Sequence, residues 1–124
     1  YSKADLLAFQ NKNNEAIVVL NTILSNHKTE PIIAQTLLKQ AQLFEDKFEF
    51  DKAKINYQTI IDNYRDGILI DDAYYKLANI YENHLNDSEK AKGLYEQIIF
   101  NHVDSIYFVE ARKKYRALRG DAIN

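Results

Sequence analysis

Apolar residues recur at intervals of three and four in seven stretches of this chain, at about residues 1–11, 14–27, 31–46, 51–64, 70–84, 88–102 and 106–119. That spacing lines one face of an α-helix, and no stretch sustains the alternation of a strand, so the pattern predicts seven helices. The breaks are short: Asn11 to Asn14, Thr29-Glu30-Pro31, Lys47 to Asp51, Asp66-Gly67 and Asn86-Asp87-Ser88. Proline suits a first helical turn, and Asn, Asp and Ser suit caps, so each break is expected to join antiparallel neighbours.

The same residue types return at a spacing of 37 or 38. Ala4, Ala41 and Ala78 fall in step, as do Leu7, Phe44 and Tyr81. A second set follows each of these: Ala16, Ala53 and Ala91, then Leu20, Tyr57 and Tyr95, then Ile23, Ile60 and Ile98. A period of this size marks a solenoid, whose units bury their apolar faces against one another. Ala41 is expected opposite Ala53, and Ala78 opposite Ala91, where small residues let two helix backbones approach. Phe44 with Tyr57, and Tyr81 with Tyr95, would fill the flanks of those crossings. The expected organisation is one all-α domain over 1–124: hairpins at about 1–29, 30–67 and 68–104, then a closing helix at 105–120.

The closing helix departs from its repeat. Counting back 38 from Arg112, Arg116 and Arg119 lands on Tyr74, Ala78 and Tyr81, so three core positions have become cationic. Phe108, Ala111, Tyr115 and Leu118 keep an apolar stripe that can cover the preceding hairpin. One apolar and one polar face make a cap. The functional alternative is that Arg112, Lys113, Lys114, Arg116 and Arg119 dock an acidic partner.

Leu37, Ala41, Phe44, Ala53, Tyr57 and Ile60, followed by Tyr74, Leu77, Ala78, Tyr81, Ala91, Tyr95 and Ile98, resemble two units of the tetratricopeptide repeat family. Ala4, Leu7, Ala16, Leu20 and Ile23 resemble a third unit whose first helix has lost its beginning. Gln40 stands where the family pattern carries leucine. The resemblance implies a right-handed superhelix of helical hairpins that binds a protein or peptide without catalysis. Its first helices would line a concave groove, with Gln35, Leu38, Gln42 and Glu45 exposed there in one unit and Asp72, Tyr75, Asn79 and Glu82 in the next. Tyr75 and Leu38 would anchor an apolar side chain, and Gln42 and Asn79 would bond its backbone. The longer unit, ending in Ile60-Ile61-Asp62-Asn63-Tyr64, is similar to bacterial envelope repeat proteins, including outer-membrane assembly lipoproteins and the Tol-Pal accessory protein, which implies a periplasmic or cell-envelope setting. The other reading is a structural spacer or oligomerisation element of a larger array.

Composition narrows the partners. A formal charge of −2 and a pI near 5.9 supply no general attraction for phosphate backbones or anionic lipid, so neither nucleic acid nor membrane insertion is expected. With no methionine and a helical opening at Tyr1-Ser2-Lys3-Ala4, the chain reads as part of a longer repeat protein. Its exposed N-terminal face, with Leu6, Leu7, Phe9, Ile17 and Leu20, is then expected to self-associate.

Candidate chemistry is sparse. His27 and His102 end helices two repeats apart, too far to share a metal ion. Glu45, Asp46, Glu49 and Asp51 crowd a helix end, and Asp71 and Asp72 open a helix where negative charge suits the dipole. Without a nucleophile motif or a glycine-rich phosphate loop, neither an enzyme nor a cofactor is expected.

Overall fold

The computed structural model describes residues 3–26, 30–64 and 69–120. They form six helices: α1 (Lys3–Asn26), α2 (Glu30–Asp46), α3 (Phe50–Asn63), α4 (Ile70–Asn83), α5 (Ser88–Asn101) and α6 (Phe108–Arg119). Each helix packs chiefly on the next in the chain, which is the arrangement of a helical repeat solenoid.

From α2 onward the elements follow the apolar periodicity. Ala41, Ala53, Ala78 and Ala91 are all fully buried, as small residues at close crossings must be. Tyr57 and Tyr95, with Ile60, Leu77, Ile80 and Ile98, are the largest fully buried side chains. Phe44 and Tyr81 pack at the edge of this core. Their outer ring faces are covered by lysines, with Lys52 Nζ 5.7 Å from the Phe44 ring centroid and Lys90 Nζ 5.4 Å from that of Tyr81.

The turns within the two hairpins differ in length by one residue. Glu49 N–H donates back five residues to Phe44 O at 2.8 Å, and Asp87 N–H back six to Tyr81 O at 2.9 Å. Each turn carries one residue in the left-handed region, Phe48 (φ 61°) and Asn86 (φ 52°). Gly120 (φ 87°) ends α6 in the same region, and its N–H donates back to Ala117 O.

The N-terminal quarter corrects the sequence reading. Instead of a hairpin over 1–29, α1 runs unbroken through Asn11 to Asn14, so the described residues form six helices rather than the expected seven. Asn11-Lys12-Asn13-Asn14 contains neither glycine nor proline, and asparagine costs a helix interior only about 0.7 kcal/mol relative to alanine. One tertiary contact works against that cost: Asn14 Oδ1 accepts from Lys47 Nζ, just beyond α2. Ala4 and Ala16, expected on facing helices, are instead about 18 Å apart on one axis. The later half of α1 still acts as a second helix would, since Ile17 is buried and Leu24 packs against the core. The side chains of Leu6, Leu7, Phe9 and Ile23, and all of His27, lie outside the described residues.

Candidate functional site

The expected groove positions are placed by α2 and α4. Gln35 is exposed, while Leu38, Gln42, Glu45, Asp72, Tyr75, Asn79 and Glu82 are half-buried. Helical spacing alone puts each set on one face. Four of these residues, Glu45, Asp72, Asn79 and Glu82, are bonded by tyrosines arriving from elsewhere in the chain.

The Tyr57 hydroxyl, from α3, donates to Glu45 Oε2. One repeat later the Tyr95 hydroxyl, from α5, lies 2.6 Å from Asn79 Oδ1 and 2.7 Å from Glu82 Oε1. Tyr107, just before α6, donates to Asp72 Oδ1. Burial, reinforced by the carboxylate each hydroxyl faces, pushes the ionisation of Tyr57 and Tyr95 far above the ordinary tyrosine value. Tyr107 is pushed up to about 12, chiefly by its hydrogen bond to Asp72 and then by burial. The neutral hydroxyls donate and the carboxylates accept, so Glu45, Glu82 and Asp72 are held in place by bonds that leave their charge intact.

Tyr75 is not a free-standing anchor. Its ring stacks on Tyr107, with centroids 4.4 Å apart and planes at 13°, and meets Tyr95 edge-on at 6.0 Å. One face of Tyr75 is therefore already covered, and the apolar feature of this surface is the Tyr75–Tyr107 pair. Tyr107 was not among the groove residues read from the sequence. It lies outside the regular repeat helices, and the only signal for it was an aromatic beside the cap.

The basic set divides. Arg112, Lys113, Arg116 and Arg119 are exposed on α6, as the cap reading requires, and Arg119 lies over its own Tyr115 ring at 5.2 Å. Lys114 instead turns toward the first-helix face, with Nζ 3.8 Å from Glu82 Oε1 and 5.9 Å from the Tyr95 ring centroid. It belongs with the groove residues.

Two of the carboxylate groups have partners that the sequence did not reveal. Asp71, besides opening α4, lies 2.9 Å from His102 Nδ1 at the end of α5. Glu49 pairs with Lys47 at 3.5 Å and Lys52 at 3.6 Å. Among the described residues no group of three or more His, Asp and Glu side chains is placed to hold a metal ion. An open cavity of about 250 Å³ lies along the outer side of α3 beside Tyr81, and none of the groove residues lines it.

The family model described as Tetratricopeptide repeat matches residues 35–67 and 72–105, more than half of the chain. The chain belongs to the tetratricopeptide repeat family. The two matched segments coincide with the hairpins α2–α3 and α4–α5, whose small and aromatic positions carried the resemblance. Neither a curated protein nor a solved structure matches this tetratricopeptide repeat chain. Repeats of this family generally mediate protein–protein interaction, and no described helix is long and apolar enough to cross a membrane.

Proposed function

We propose that this tetratricopeptide repeat protein is a non-catalytic scaffold that binds an extended peptide or protein segment across the first-helix face of α2, α4 and α6. The observation that carries the reading is the tyrosine-locked polar row. Glu45, Asp72, Asn79 and Glu82 are oriented by hydroxyls from α3, α5 and the α5–α6 connection, so a ligand meets groups that need not be ordered on binding. The Tyr75–Tyr107 pair offers an aromatic shelf beside that row, and Leu38 a second apolar point. A bacterial envelope setting belongs to the same proposal and rests on the likeness of the longer repeat unit.

Selection of peptides from a displayed library against the chain, followed by calorimetry of the best binder, tests this reading. Asn79→Ala and Leu38→Ala should each weaken binding by about 1–2 kcal/mol. Arg112→Glu with Arg116→Glu should leave binding within a factor of about two. The opposite ranking would place recognition on the cap and sink the groove reading.

A second reading, self-association through the N-terminal helix, is favoured by Val18 and Val19, both exposed on α1. Sedimentation that shows a monomer at every concentration would refute it.

A further inference from the structure

Away from the groove, the α5–α6 corner exposes apolar side chains that the fold does not use. Phe100, Val103, Ile106 and Val109 follow one another at intervals of three through the last turn of α5, the connection and the first turn of α6, and they are 61–86% exposed. In sequence, the preceding repeat keeps only one of these apolar positions, Ile68 for Ile106. Counting back 38 from Phe100, Val103 and Val109 gives Asp62, Arg65 and Asp71, so three of the four positions are charged there. Isolated exposed apolar residues are ordinary on a protein surface, but a run of four peculiar to one corner is the mark of an interaction surface.

The charge beside the patch indicates what covers it. On α6, Val109, Arg112 and Arg116 lie three and four residues apart and so share one face. Both arginines are exposed, and among the described residues no carboxylate lies within ion-pairing distance of either. The carboxylates beside these side chains are Asp104, away from the arginines in chain order, and Glu110, which helical spacing sets about 100° round α6 from Val109 and on a different face from Arg112 and Arg116. Exposed apolar side chains followed along α6 by exposed guanidinium groups are complementary to an amphipathic segment whose apolar face is followed by carboxylates.

We propose that the α5–α6 corner is a second docking surface, separate from the groove, for an acidic amphipathic helix of a partner protein. Its apolar side chains rest on Phe100, Val103, Ile106 and Val109, and its carboxylates pair with Arg112 and Arg116. The test uses the whole chain and a short labelled helical peptide with leucines on one face and glutamates beside them, read by fluorescence anisotropy. A version with lysine in place of each glutamate and phosphatidylserine vesicles serve as comparators. The glutamate peptide should bind at least about tenfold more tightly than the lysine peptide. Ile106→Ser with Val109→Ser, and separately Arg112→Glu with Arg116→Glu, should each reduce its affinity about tenfold or more. Circular dichroism should stay unchanged, because all four side chains are exposed. Equal binding of the two peptides, binding that neither double variant alters, absence of peptide binding, or binding to the vesicles alone would each overturn the proposal.

Discussion

The hairpins α2–α3 and α4–α5 each bury one fully enclosed alanine of the repeat pattern on either helix, yet their interiors are built from different chemistry. In the first hairpin, buried Asn56 donates through Nδ2 to Gln40 Oε1 at 2.7 Å and to Leu37 O at 3.2 Å, while Gln40 Nε2 donates onward to Asn21 Oδ1 on α1. The corresponding positions in the second hairpin are Leu77, fully buried, and Leu94, packed against the core. The turns differ in the same direction. Asn86 takes the left-handed position in the second hairpin, and Asp87 caps α5 by accepting from Lys90 N at 3.1 Å. In the first, that position is filled by Phe48, 79% exposed, and Glu49 makes no cap bond to α3.

The second hairpin therefore follows its local rules at its turn and in its core, and the first departs from them at both. A buried amide ladder adds little net stability but strongly penalises any arrangement that breaks it. Between α1, α2 and α3 it specifies how the non-repeating helix sits on the first repeat. A leucine in its place would tolerate sliding.

Alkaline pH should reveal what the two hairpins have in common. Tyr57 and Tyr95 are both neutral donors to carboxylates, and their ionisation is raised well above the unfolded value near 10. Above pH 10 the unfolded chain loses these protons and the folded chain keeps them. The stabilisation is thus complete below pH 10 and falls by about 1.4 kcal/mol per pH unit for each tyrosine as pH rises. Denaturant melts of Tyr57→Phe and Tyr95→Phe at pH 9 and above should each show a shallower alkaline decline. An unchanged slope in either would show that its hydroxyl is not held as described.

Exchanging the interiors tests the contrast itself. Leu77→Gln places an unpartnered amide in an apolar core and should cost about 3 kcal/mol or more. Adding Leu94→Asn should recover about 1 kcal/mol through the restored amide pair. In the other direction, Gln40→Leu with Asn56→Leu should be near neutral in urea, while hydrogen exchange in the second half of α1 speeds up. Slow exchange there would mean that the ladder does not specify the docking of α1.

The caps should separate the hairpins more gently. Asp87→Ala removes an N-cap acceptor and should cost about 1 kcal/mol, whereas Glu49→Ala should change stability by less than about 0.5 kcal/mol. Comparable losses in thermal melts would erase the distinction. The smallest effect is a gain. Phe48→Asn gives the first turn the residue found in the second, and relief of a bulky side chain in the left-handed region should add about 0.5–1 kcal/mol. A loss instead would show that Phe48 makes a contact worth more than its strain.

Much of this was legible in advance where the chain obeys a rule every turn. The helices from α2 to α6, the four buried alanines and the two hairpins follow directly from periods of 3.6 and of 37 to 38. The break expected at Asn11 to Asn14 does not form: asparagine is only a weak helix breaker, and Asn14 is bonded there by Lys47, 33 residues away. The repeat places the expected groove residues on α2 and α4, but it gives no place to Tyr107, which lies in a connection and reaches Asp72 from 35 residues on. Gln40 stood out as a departure from the family pattern, and only its partners Asn21 and Asn56 explain it.

By itself the sequence determined the helical class, the repeat, the membership in the tetratricopeptide repeat family and the polar outer face of the last helix. These are carried by residue type at fixed intervals, and a one-dimensional chain records intervals completely. Tertiary structure alone decided that α1 is one helix, that Lys114 faces Glu82, that Tyr75 is stacked rather than free, and that Glu45, Asp72 and Glu82 are held by tyrosine hydroxyls. Each of those depends on where the far end of a long side chain comes to rest, and that is set by packing between segments that the sequence keeps well apart.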